Sequence, residues 1–167
     1  MALALTALHI ATIAIAASIF VAAAINDAYT YRIPNYMCGL LLALFPLFIA
    51  TAPRAYDWHQ HIMVFSLVAA SGFAMFMGNM AGAGDIKLLG VASLWAGPHL
   101  IAVLLVVTAV AGGIESIAMA ILTHWRHRKT TEEAPAYAKV PIPYGIAIAT
   151  GGLAMLGMIA QPILLPS

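Results

Sequence analysis

Six of the 167 residues are acidic, and two of them, Asp27 and Asp85, stand where a reaction would need them. Asp27 closes the first long apolar run, and Asp85 comes just after the third. A carboxylate at membrane depth is costly and is a functional candidate by default. Two carboxyls held close together share one proton, because both cannot ionise cheaply. One then acts as a base on water, while the other, protonated, polarises a carbonyl, which is the two-carboxyl route to peptide hydrolysis. Titration of such a pair belongs to both groups together. Each residue also has a plainer reading: Asp27 as an interfacial cap, Asp85 as the N-cap of a helix that starts at Ile86. Glu132, Glu133 and Asp57 read as solvated loop charges.

The elements that must carry this pair are membrane spans. The chain is 63% hydrophobic and only 8% charged, with a mean hydropathy of +0.98, whereas soluble domains carry roughly 25% charged residues. That excludes a soluble enzyme and a disordered chain, and seven Lys+Arg form no nucleic-acid-binding stripe. The apolar runs are too continuous for a lipid-facing β-barrel, whose strands alternate. A span needs about 20 apolar residues. The candidates are 3–25, 36–50, 62–80, 86–96, 98–122 and 143–165. No basic residue precedes the first, so it does not read as a cleaved signal peptide. The fold expected is an all-α, six-span bundle forming a single domain over 1–167.

With the N-terminus outside, Arg32, Lys87, Arg126, Arg128, Lys129 and Lys139 fall on the cytoplasmic side and only Arg54 outside, as the positive-inside rule asks. One bent span over 86–122 would spoil that bias, so a turn is expected at Gly97-Pro98, residues suited to ending one helix and starting the next. Residues 86–96 rise only about 16 Å as a helix. The stretch 78–84, Gly-Asn-Met-Ala-Gly-Ala-Gly, must make up the depth. Such backbone is tolerated there only when buried in protein or lining a wet cavity. Topology then puts Asp27 and Asp85 on one side at similar depth. Gly82 and Gly84 permit close backbone approach, either as a flexible turn or as a strip against which an extended peptide pairs. Lys87 reads either as a positive-inside anchor or as a group that favours an ionised aspartate or holds a substrate acid.

Asp27 with Arg32-Ile33-Pro34-Asn35, then Gly82-Ala83-Gly84-Asp85-Ile86-Lys87-Leu88, then Pro141-Ile142-Pro143-Tyr144-Gly145 resembles the type IV prepilin peptidases, which are GxGD intramembrane aspartyl proteases. The length and layout resemble the short CpaA/TadV-type branch of Tad/Flp pilus systems, and the likeness covers nearly the whole chain. The resemblance implies that Asp27 and Asp85 are catalytic. It implies a substrate that is the leader of a prepilin or pseudopilin, cut at the cytoplasmic face of the inner membrane, with its apolar helix beside the enzyme in the lipid. It implies that Ile33, Pro34 and Asn35 shape the site and that Pro143, Tyr144 and Gly145 begin the last span near it. Gly82, Gly84 and Lys87 support it. Longer members carry a cysteine-bearing zinc insert and methylate the new N-terminus. Here four residues separate Asp27 from Arg32 and Cys38 stands alone, so no metal, no cofactor and no methyltransferase activity are expected.

Other chemistries fit the residues less well. No H-E-x-x-H is present for a zinc protease. A serine protease needs a Ser with a His base, yet His9 lies near the external end of the first span, far from Ser71 and Ser93, and reads as a satisfied or interfacial histidine. His59 with His61 in an external loop, and His124 with His127, are sparse pairs with little metal-binding promise. Presenilin-like proteases share G-x-G-D, but no Y-D precedes it and no P-A-L follows. The alternative is a small proton-coupled transporter using Asp27, Asp85 and Glu115 as ion sites, for which inverted repeats are not found; a structural subunit comes third. Glu115, after Gly112-Gly113, belongs to none of the motifs, and its role stays open between an interhelical hydrogen bond and a contact with the pocket.

Overall fold

The computed structural model describes residues 2–53, 56–127 and 143–164. Their order is α1 (Ala2–Thr30), α2 (Asn35–Thr51), α3 (Trp58–Met77), α4 (Ala83–His127) and α5 (Tyr144–Leu164). Four stretches are long and apolar enough to cross a membrane: Leu3–Thr30, Trp58–Met77, Ala83–Trp125 and Tyr144–Ile163; Asn35–Thr51 is apolar but shorter. The chain is all-helical and of membrane type. Arg54 and the polar segment with Arg128, Lys129, Glu132, Glu133, Lys139, Pro141 and Ile142 lie outside the described residues.

The helix ends explain how the carboxyl residues are placed. α1 continues past Ile25 to Thr30, so Asp27 sits in its last turn. It stops because Tyr31 takes a left-handed backbone, φ 51°. Asn26 Nδ2 donates to the Arg32 carbonyl at 2.6 Å and holds the corner. Pro34, φ −64°, then launches α2, a position where its fixed dihedral and missing N–H cost nothing. α3 starts at Trp58, four residues before the expected 62. The Asp57 carboxylate accepts from His59 N at 3.2 Å and from Gln60 Nε2 at 2.9 Å and caps it. His61, expected in a loop, is therefore helical and 4% exposed.

α4 begins at Ala83, three residues earlier than expected, with Ile86 N donating to Gly82 O at 3.2 Å. Gly82 takes the cap position. Asp85 is thus in the first helical turn and is not the cap. The non-helical stretch shrinks to 78–82. Within the 45 residues of α4 the backbone breaks at Gly97, φ 57°, ψ −169°, just before Pro98, where the turn was expected. Asp85, Ile86 and Leu89 share a cavity with Thr108, so the arm 98–127 returns alongside the arm 83–96. The break frees the last carbonyls of the first arm; one of them, Leu94 O, lies 2.8 Å from His61 Nδ1, whose ring fills the notch beside Gly97.

Close helix contact holds these pieces together, since lipid supplies no hydrophobic drive between helices. The first arm meets α3 at Ile86 against Gly72 and at Gly90 against Phe65. The second arm meets α5 where Leu104 and Thr108 abut Gly151, and α1 meets α5 where Phe20 abuts Gly152. Trp95, Phe48, Leu41 and Phe20 are among the largest fully buried side chains. Trp95 Nε1 donates to Leu41 O at 3.1 Å and ties the first arm to α2. His9 stacks on Phe48 at 4.9 Å, with Nδ1 3.1 Å from Thr51 Oγ1.

Candidate active site

Asp27 is 3% exposed although it sits one turn from a helix end. Its Oδ2 accepts the Gly145 N–H at 2.7 Å. Gly145 is in the first turn of α5, whose free N–H groups suit a carboxylate. A Cβ on Gly145 would stand 2.7 Å from that oxygen, so a side chain there would push Asp27 away. Asp85 has a parallel arrangement at the start of α4. Its Oδ2 lies 2.8 Å from where a Gly82 Cβ would be, so the carboxylate packs directly against that glycine. Each aspartate is thus seated on a glycine at the mouth of a helix.

Asp85 lies within Coulombic reach of Asp27, although α2 and α3 separate them in the chain. Glu115 is also within reach of Asp27, and its Oε2 is buried without a hydrogen-bond partner. It stands one turn beyond Gly112, where a Cβ would lie 3.5 Å from the Tyr144 ring. The signal for Glu115 was a lone acid inside an apolar run, which gives proximity to Asp27 no hint.

The remaining candidates surround the pair in different ways. Ile33 is buried and lies 3.3 Å from where a Gly84 Cβ would be, so Gly84 brings α4 onto the corner after α1. Lys87 Nζ donates to Asn35 Oδ1 at 3.0 Å, bracing that corner from the other side. Lys87 is therefore engaged with the start of α2. Pro34 shapes the corner through its dihedral. Pro143 O accepts from Ile146 N at 3.1 Å and starts α5. The Tyr144 side chain, with Gly82 and Asp85, lines a cavity of about 630 Å³ that continues between α3 and the two arms of α4. A second cavity, about 510 Å³, surrounds the break and is lined by His61, Trp95, Pro98 and His99. It holds neither aspartate of the pair.

Serine chemistry finds no support here. Ser71 Oγ donates to Leu67 O and Ser93 Oγ to Gly90 O, each within its own helix. Cys38 is a free, buried thiol. Among the described residues no group of three or more His, Cys, Asp or Glu is placed to hold a metal ion.

Residues 14–117 match the model of the type IV leader peptidase family, a stretch that contains Asp27, Asp85, the helix break and Glu115. The chain belongs to the type IV leader peptidase family. Membership makes it a peptidase, and so a hydrolase. Comparison with curated proteins and with solved structures gave no significant match.

Proposed function

We propose that this peptidase is an aspartyl endopeptidase of the short CpaA/TadV-type branch, with Asp27 and Asp85 as its catalytic pair. It removes the leader of a prepilin or pseudopilin at the cytoplasmic face of the bacterial inner membrane. The observation that supports this is that two aspartates distant in the chain, each at the start or end of a helix beside a glycine, lie within Coulombic reach of one another in a leader peptidase family member, with a cavity beside Asp85.

The chemistry runs on one shared proton. The ionised carboxylate takes a proton from water as the water oxygen bonds to the scissile carbonyl carbon. The protonated carboxyl gives its proton to the carbonyl oxygen, and a neutral gem-diol forms. In the second step the first carboxyl passes its proton to the leaving nitrogen while the C–N bond breaks. The second carboxylate takes a proton back from the diol. An amine and a carboxylic acid leave, and the pair again holds one proton. The Gly145 N–H occupies part of the Asp27 carboxylate and Gly82 packs closely against that of Asp85, and both contacts orient the acids.

In the membrane arrangement we infer, α1, α2, α3, the two arms of α4 and α5 make six crossings. Both termini then face the periplasm, and Arg32 and Lys87 lie on the cytoplasmic side. Lipid surrounds the exposed apolar faces, and the substrate's own apolar helix approaches through it.

Coexpression with a prepilin from the same genome tests the proposal. A gel shift is expected for the wild type and none for Asp85→Asn or Asp27→Asn at equal enzyme level. Leader removal by either variant at the wild-type rate would exclude that residue from the mechanism.

A further inference from the structure

The cavity beside Asp85 has a direction. Gly82 and Asp85 line it at the start of the first arm of α4, and Leu89 lines it one turn further along that arm, toward the membrane interior in the arrangement proposed above. Opposite lie Met75 and Phe76 at the end of α3 and Ile148 one turn into α5. Apart from Asp85 the walls are mostly apolar, with Asn79, Thr108 and Tyr144 as the polar exceptions. It is a half-open cleft, and its volume of about 630 Å³ falls in the range of ligand-binding clefts.

Resting on the leader-peptidase reading, we infer that this cavity receives the apolar residues immediately carboxyl-side of the cleaved bond, and that Leu89 sets the size it accepts. The direction of the chain decides the side. A leader cut near the aqueous face lies outward of Asp85, so the part that continues into the membrane must pass Asp85 and meet the apolar walls. Hydrolysis needs that stretch unwound, and the freed backbone N–H and C=O groups of an unwound segment at membrane depth must lie against protein or water and not lipid, which brings its side chains onto these walls. Met75 and Met80 suit the task, because methionine adapts to apolar partners of varied shape. Leu89 is half-buried against the core and less free to move. Gly72 cannot supply extra room or selectivity, since any Cβ there would meet Ile86 at 2.6 Å.

The test is a specificity crossover in proteoliposomes. Wild type, Asp85→Asn, Leu89→Trp and Met75→Trp are each given one prepilin with Phe and the same prepilin with Ala at the first two mature positions. Both tryptophans narrow the cavity. They should lower kcat/KM on the Phe substrate about tenfold or more while the Ala substrate stays within about threefold of wild type. Met75 is 46% exposed, so Met75→Trp keeps the test informative if Leu89→Trp misfolds and loses both substrates. A Met75→Trp enzyme that handles both substrates like wild type, or loses both equally, would overturn the assignment. Asp85→Asn separates the two ideas. Cleavage by that variant, or none by wild type, sinks the aspartyl peptidase reading and this inference with it, whereas unchanged size preference in the Trp variants sinks this inference alone.

Discussion

At the scale of single residues, the proposed mechanism depends on two carboxyls and the two glycines packed against them. Removing either acid deletes a proton carrier that the other cannot replace. Asp27→Asn and Asp85→Asn should each cut leader cleavage by about 10³-fold or more, read by gel shift, with the detergent-solubilised protein still eluting as wild type. Gly145→Ala makes a finer test. The added methyl would sit against Oδ2 of Asp27, and a displacement of about 1 Å can cost on the order of 10²-fold in rate. kcat should fall further than KM rises. Cys38→Ser is the control: the thiol is buried and free, so cleavage should persist, with a modest loss of thermal stability from burying a hydroxyl. Asp27 and Asp85 were legible in the sequence because few acids survive in apolar runs. The seat of Asp27 on the Gly145 N–H was not, because a backbone donor leaves no trace in residue type.

At the scale of elements, the decisive feature is the break in α4. Its position was legible from Gly97-Pro98 and from the balance of basic residues. The partner that completes it was not. His61 looked like one of several loop histidines, and only the Asp57 cap on α3 explains why the helix starts early enough to bury it. His61→Phe leaves the Leu94 carbonyl unpaired, which costs about 1–3 kcal/mol. The unfolding midpoint in detergent should drop by roughly 3–10 °C, and His61→Asn, which keeps an N–H on a short arm, should lose less. Gly97→Ala should be at least as damaging, since its backbone is left-handed and the His61 ring occupies the space of a Cβ. The start of α4 was misjudged for a similar reason: Asp85 is an attractive cap by type, but Gly82 takes that place and Asp85 turns inward.

At the scale of the whole molecule, hydropathy located the apolar runs but could not say which would pair. That choice rests on small residues such as Gly72, Gly151 and Gly152, whose partners become visible only in three dimensions. With six crossings, reporter fusions at Ser167 should report a periplasmic location, and a cytoplasmic signal would remove one crossing. The doubled α4 also bears on how the protein enters its membrane. Its first arm, 83–96, rises only about 21 Å, short of a hydrocarbon core of about 30 Å, so a translocon would have little reason to release it sideways alone. In the six-crossing arrangement proposed above, the longer arm draws it in as a passenger, and the hairpin is expected to integrate as one piece. Straightening it, for instance by Gly97→Ala with Pro98→Ala, would present about 68 Å of unbroken helix and strand the segments that follow on the wrong side of the bilayer.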